Sequence, residues 1–311
     1  MIYNKFQKQI RNRYNFLKSI IYYLNERCCI VVRLLVKDGT NMWCFKNGQP
    51  VETIPLLDRA FHYGDGCFTT IRVFQNQIEL KERHWERLKL ACQKLSLIAD
   101  FELIEQSVEQ LQKQNLVLNG TLKIVISRGI GDRGYSLPKH EADIYIWFYP
   151  KALEPFLPDF MQCGVLNQAL GLTMPSLVGL KSLNRLEQVL LKKEADQLGW
   201  AEALVTDVQG YIVEGVSSNC FIRLNDRWIT PELRYNGVHG VMRAEILARM
   251  QHHGIACEVR VIELDEVSEI QSLFFCNALN PMRVVTHLGE KTLETQACID
   301  LFHILNLNQI H

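Results

Sequence analysis

The sequence predicts an α+β fold in two domains, and three observations carry that expectation. Strand-like and helix-like segments follow one another in mixed runs, not in the strict βα alternation of a parallel-sheet protein. A proline-bearing stretch, KALEPFLPDF, comes directly after Pro150 and divides those runs into two groups. The chain has 311 residues, enough to bury about three quarters of its unfolded surface and to give each group its own core. Hydrophobic residues at 48% and charged residues at 22% fit a globular chain and exclude a disordered or collagen-like one.

The elements follow in order. Residues 1–41 carry eight Lys or Arg against Glu26 and Asp38, with apolar clusters of no steady period, so they are expected to be an extension without ordered structure. An N-terminal domain spans 42–150. It opens with a strand in MWCFK, a turn at Asn47-Gly48, and two strands around Asn76. Trp85, Leu88, Cys92 and Leu95 recur at spacings of three and four, as do Phe101, Ile104, Val108 and Leu111, which predicts two amphipathic helices. Strands return in TLKIVISRG and ADIYIWFYP, joined by a glycine-rich loop.

Residues 151–160 form the expected connector and 161–311 the second α+β domain. There NRLEQVLLKKEADQLGW reads as a helix ending at Gly199. Strands follow in AEALVTD, GYIVEG, NCFIRL and RWIT, then a helix in VMRAEILARMQHH stopping at Gly254. CEVRVIEL, SLFFCNAL and RVVTHL read as strands.

Charge and cysteine content narrow the function. With 34 basic and 34 acidic residues, nothing in the balance draws the chain to nucleic acid or an anionic membrane, and the expected partner is a small molecule. Arg27, Arg33 and Lys37 interrupt the most apolar early segment, so no membrane span is expected. The ten cysteines are scattered without a Cys-x-x-Cys pair, which suits a reducing, cytoplasmic setting and removes the zinc-ribbon reading. His252-His253 stands at a helix end, where it favours the helix dipole, and no metal site is expected. The chain also lacks a phosphate loop, a GxGxxG fingerprint, an HExxH pair and a GxSxG elbow.

What remains is a set of unlike residues. Lys181 in VGLKSLNRLEQV precedes an apolar-faced helix. Glu214 in YIVEGVSSNCF is an acid in an otherwise apolar strand, leading into Ser217, Ser218 and Asn219. A carboxylate in such a strand needs a partner. Gly237 and Gly240 in NGVHGVMRAEI stand just before a helix, whose free N–H groups suit a phosphate.

Five segments in this order, DRAFHYGDGCFTTIRV, VISRGIGDRGYS, GLKSLNRLEQVL, EGVSSNCF and NGVHGVMR, resemble the fold-type IV pyridoxal-phosphate enzymes from about Met42 onward. That family includes branched-chain and D-amino-acid aminotransferases and aminodeoxychorismate lyases, and the SRG and LNRLEQV segments are most similar to the lyase branch. The resemblance implies pyridoxal 5'-phosphate as cofactor, 4-amino-4-deoxychorismate as substrate and a homodimer. It implies that Lys181 forms the Schiff base and is the catalytic residue. Glu214 would pair with the pyridine nitrogen, Arg72 would bind the phosphate with the N–H groups of Val241 and Met242, and Ser217, Ser218 and Asn219 would line the cofactor. Thr70, Arg128 and Arg133 are the candidates for the substrate side, the arginines because the implied substrate carries two carboxylates. Arg185 is expected to be structural, pairing with Glu187 or Glu214. Val216 and Trp228 depart from the family pattern and would reshape the pocket. The alternatives are an aminotransferase of the same fold and a cofactor-free binding protein that has lost catalysis.

Overall fold

The structure is a computed structural model that describes residues 33–35, 41–113 and 117–310. In the N-terminal half, β1 (Arg33–Leu35), β2 (Asn41–Lys46), β3 (Gln49–Pro50), β4 (Gly66–Phe74), β5 (Gln77–Ile78), β6 (Gly120–Ser127) and β7 (Asp143–Pro150) make one sheet. Its order is β1-β2-β7-β6-β4-β5, with β3 folded back on β2 and every pairing antiparallel. The turns are where the sequence puts them. Asn47 and Gly48 both have positive φ (49° and 74°), the backbone that an Asn-Gly hairpin turn demands.

The start of the domain corrects one expectation. Ordered chain does not begin at Met42, because Arg33–Leu35 already pairs antiparallel with β2, Leu34 lying opposite Met42. Arg33 and Lys37 masked the strand-forming run VVRLLV around it, residues 31–36, when the segment was read by charge. The rest of the expected extension, 1–32 and 36–40, lies outside the described residues.

Three helices accompany this sheet: α1 (Arg59–Tyr63), α2 (Lys81–Leu95) and α3 (Glu102–Gln112). Trp85, Leu88 and Cys92 of α2 and Ile104, Val108 and Leu111 of α3 are buried against Phe45, Ile71, Ile124, Ile146 and Phe148 of the sheet. Strand alternation then decides where the site lies. On β4, Cys67, Ile71 and Val73 join this helix-covered core, while Phe68 and Thr70 point to the opposite face.

The C-terminal half holds a second sheet of β8 (Asp159–Cys163), β11 (Asn219–Leu224), β12 (Arg227–Pro231), β13 (Cys257–Arg260), β14 (Ser272–Asn277), β15 (Asn280–Leu288) and β16 (Lys291–Thr292). Its order is β13-β12-β11-β14-β15-β16, with β8 joined parallel to β15. Both faces are covered, so β14 reads as a continuous apolar run. Phe274 and Cys276 pack under α5 (Val241–His252) and α6 (Gln296–Ile304), while Leu273 and Phe275 face the other way. The stacked pair Phe221–Phe274, 5.0 Å between centroids, sits at the centre of the helix-covered side. Helix α6 was not anticipated, although Cys298, Leu301, Phe302 and Leu305 hold helical spacing and are all buried. A small ribbon of β9 (Leu204–Thr206) and β10 (Ile212–Gly215) packs beneath α4 (Leu186–Gln197). Together these elements make the α+β architecture that the mixed runs imply.

Candidate active site

Between the two sheets lies a cavity of about 380 Å³, within the range of small-molecule sites. Lys181, Glu214, Ser217, Ser218, Asn219, Val241, Met242 and Thr70 all line it. So do Arg87 and Asn277, which the sequence reading missed.

Lys181 sits on a strap hydrogen-bonded to both halves. Its carbonyl accepts from Phe68 N–H of β4 at 3.0 Å, and two residues earlier the carbonyl of Gly179 accepts from His239 N–H at 3.1 Å. Arg185 clasps this strap, donating to the carbonyls on either side of the lysine, Leu180 at 3.3 Å and Ser182 at 3.0 Å. That is its structural role, and among the described hydrogen bonds it has none to Glu187 or Glu214. The Lys181 ammonium lies 4.8 Å from the Phe68 ring centroid. Burial, aided by the charges of Arg87, Arg185 and Lys123, lowers its pKa to about 8, with Glu214 opposing. The amine is therefore poised to act as nucleophile or base near neutrality.

Glu214, only 5% exposed on β10, is held by its environment. One carboxylate oxygen accepts from Val238 N–H at 2.9 Å and from the Asn219 amide at 3.2 Å, and that amide also donates to the Val238 carbonyl at 2.9 Å. Burial raises the Glu214 pKa to about 7 against the opposing pull of the Val238 bond, Lys181 and Arg185. Asn219 can lie this close because residue 240 is glycine. A Cβ there would fall 1.9 Å from the Asn219 side-chain oxygen.

The hydroxyls of Ser217 and Ser218 are otherwise engaged. Both donate to Glu202, at 2.7 and 2.8 Å, and Ser217 N–H adds a bond of 3.1 Å to that fully buried carboxylate. These serines shape the wall of the cavity through Glu202, a residue the sequence reading did not single out.

Four expectations need correction. Arg72 is not in the cavity. Its guanidinium pairs with Glu79, donates to the Glu154 carbonyl, and lies 3.9 Å from the Phe156 ring centroid, so it ties β4 to the segment between the halves. Alternation had put it on the face of Phe68 and Thr70, but two residues further along the strand that face meets the connector. Arg128 is likewise spent within the fold: its Nε faces both Asp65 oxygens at 2.8 and 2.9 Å, and its Nη atoms donate to the carbonyls of Leu95 and Ser96. Trp228 packs edge-on to Phe274 in the helix-covered core, away from the cavity, whereas Val216 does line it. Arg133 is exposed on its loop and is not among the lining residues.

The cation that does face the cavity is Arg87 of α2. Among the described residues no carboxylate pairs with it, and its buried Nε has no hydrogen-bond partner. Burial lowers its pKa to about 10, still charged at neutrality. A sequence signal existed: His84, Arg87 and Ala91 form a helical stripe beside the buried face, an unusual place for a charge. Nearby, no side chain caps the N-terminus of α5, where Val241 and Met242 are buried. A half-buried guanidinium that no described carboxylate neutralises, beside a bare helix N-terminus, fits a phosphate, and the Lys181 and Glu214 pair fits an aldehyde-bearing pyridine.

Comparison with known proteins decides the family. The model of the class IV amino-transferases matches residues 66–288, which span β4 through β15 and include every cavity-lining residue just named. The chain belongs to the class IV aminotransferase family. Among class IV relatives, the aminodeoxychorismate lyase of Vibrio harveyi is 33% identical over 238 residues, covering 75% of this chain and 86% of that protein. The D-alanine aminotransferase of Staphylococcus aureus is 28% identical over 233 residues, covering 71% and 80%. A crystal structure of 4-amino-4-deoxychorismate lyase from Pseudomonas aeruginosa superposes with a TM-score of 0.73 at 31% identity, covering 84% of this chain and 98% of that one. The α+β class IV fold expected from the sequence is therefore the fold of this chain.

Proposed function

We propose that the protein is an aminodeoxychorismate lyase that uses pyridoxal 5'-phosphate to eliminate pyruvate from 4-amino-4-deoxychorismate, leaving 4-aminobenzoate for folate synthesis. The carrying observation is that one cavity joins a lysine with lowered pKa, a buried carboxylate and a half-buried arginine that no described carboxylate neutralises. The similarity to lyases in sequence and structure supports the choice of reaction.

When bound, the cofactor supplies an aldehyde for a lysine amine and a ring that takes up the electron pair released at the substrate carbon. In this reading Lys181 holds the aldehyde and Glu214 keeps the ring nitrogen protonated. Asn219 and Val238 N–H fix the carboxylate that does so. Arg87, in place of Arg72, takes the phosphate together with the N–H groups of Val241 and Met242. With its ε-amine free, Lys181 would accept the proton from the substrate carbon that bears nitrogen. Expulsion of the enolpyruvyl group as pyruvate then makes the ring aromatic, with no net oxidation and no second substrate.

Thr70 lines the substrate side of the cavity, and Lys123 lies opposite it on β6, its ammonium 5.3 Å from the Phe68 centroid. Lys123, beside the lining residues Phe68 and Thr70, is taken in this reading as a candidate partner for a substrate carboxylate. Arg133, exposed and outside the cavity lining, is assigned in this reading to the site of a second copy of the chain. A homodimer agrees with the exposed apolar side chains near it, Leu56 at 81%, Phe61 at 75% and Tyr135 at 86%. The eight cysteines of the described residues are all free thiols, which supports a cytoplasmic setting.

The test is incubation with 4-amino-4-deoxychorismate, without any keto acid, following 4-aminobenzoate and pyruvate in parallel. Equimolar release by the wild type and none by Lys181→Ala is expected. Turnover that requires an added keto acid would instead identify an aminotransferase. Borohydride trapping and peptide mapping should place the cofactor on Lys181 alone.

A further inference from the structure

Among the arginines of the N-terminal half that are drawn wholly or partly out of water, the structure treats Arg72 and Arg87 oppositely. Arg72 is neutralised by Glu79 and enclosed by Phe74 and Phe156. Arg87 is held by neutral groups. Its Nη2 donates to the Thr69 hydroxyl and lies 3.4 Å from His84 Nδ1, and the Thr69 hydroxyl stands 2.6 Å from that same Nδ1. Thr69 and His84 are both buried, on β4 and on α2 one turn before Arg87.

The donors gathered around Thr69 and His84 favour one arrangement of protons. A guanidinium can only donate, so the Thr69 oxygen accepts from Arg87 and its own proton remains to be given. Its near partner is His84 Nδ1, and because an Arg87 N–H group also faces that nitrogen at 3.4 Å, Nδ1 is assigned as the acceptor, the unprotonated nitrogen of a neutral imidazole. Burial and the neighbouring Arg87 charge both push the His84 pKa well below the ordinary value, in keeping with that state.

We propose that Thr69 and His84 are positioning residues for the cofactor's phosphate, aiming the Arg87 guanidinium into the cavity while leaving its charge unneutralised. The inference rests on the cofactor reading above and deepens it. A carboxylate at either position would fix the guanidinium equally well, but it would cancel the charge and repel a dianion. A hydroxyl backed by a neutral imidazole supplies direction without charge. Among the described residues Arg87 Nε has no hydrogen-bond partner.

The test titrates apo-protein with pyridoxal 5'-phosphate and, separately, with pyridoxal, which has the aldehyde and ring but no phosphate. Thr69→Val and His84→Phe should weaken binding of the phosphorylated compound about tenfold or more, the loss expected for a hydrogen bond to a charged group. Binding of pyridoxal should be unchanged. Thr69→Ser and His84→Asn, which keep a hydroxyl and an acceptor near the Nδ1 position, should restore near wild-type affinity. Equal weakening toward both compounds, or no weakening, overturns the proposal. Nitrogen-15 NMR of the histidine-labelled wild-type holo-protein gives a check that needs no substitution: His84 should carry its proton on Nε2, and a proton on Nδ1 overturns the relay. A wild type that binds both compounds alike refutes the phosphate role of Arg87 itself, and one that binds neither refutes the cofactor reading.

Discussion

The Asn219 side chain spans Glu214 and Val238, donating at 3.2 Å to the carboxylate of the first and at 2.9 Å to the carbonyl of the second. One amide thus locks an acid to the loop that leads into α5. Asn219→Ala should leave that loop in place through the Val238 N–H bond but loosen the carboxylate. We expect kcat for 4-aminobenzoate formation to fall about tenfold, from loss of one charge-assisted hydrogen bond. Steady-state assays at saturating cofactor check this.

Glu214 itself predicts a pH dependence. Its folded pKa of about 7 stands above an unfolded value of 4.5. Between those values the folded apo-protein holds a proton the unfolded chain has lost, so this contribution is full below about 4.5 and disappears as pH rises through about 7. Denaturant unfolding of the apo-protein should therefore show a decline across that window that Glu214→Gln removes. The difference between the two curves should approach about 3 kcal/mol. Parallel curves would show that Glu214 ionises normally.

Arg128 should matter for stability and not for substrate. Removing it leaves Asp65 with Arg59 as its remaining partner and the carbonyls that end α2 without their donor, and losing hydrogen bonds from a charged group costs about 1.5–3 kcal/mol. Arg128→Leu is expected to lower the melting temperature by several degrees. KM for the substrate should stay within about twofold, measured below that temperature.

The exposed apolar side chains on α1 and its neighbouring loop predict self-association. Phe61→Glu should shift the protein toward monomer in sedimentation velocity, since a buried unpaired charge is costly in an interface. If Arg133 acts across that interface, Arg133→Ala mixed with Lys181→Ala should recover part of the activity each lacks alone, because one mixed dimer keeps a complete site.

The site was unevenly legible in the sequence, for physical reasons. Lys181 and Glu214 stood out because an ionisable group in an apolar strand or approach is costly and so carries information. Arg72 misled because the resemblance carried the phosphate role to it on the TTIRV segment, and a segment match does not show that Glu79 and the connector enclose the guanidinium. Arg87 was passed over because helix periodicity draws attention to the apolar stripe, and its charge sits just beside it. Glu202 gave no local signal at all, since its partners Ser217 and Ser218 lie fifteen or so residues away and meet it only through the fold. The strands and long helices were readable from period and turn residues. Helix α6 was overshadowed by the strand-like run before it, and β1 by its flanking charges.

The strap that carries Lys181 is stitched on one side to β4 and on the other to His239. Any hinge motion of one half against the other therefore drags the amine with it. A molecule bound covalently there and gripped by Arg87 and α5 would act as a rivet across the hinge. Holo-protein should then resist proteolytic nicking in the 151–158 linker more than apo-protein does, although nothing in that linker touches the lysine's strap by hydrogen bond among the described residues.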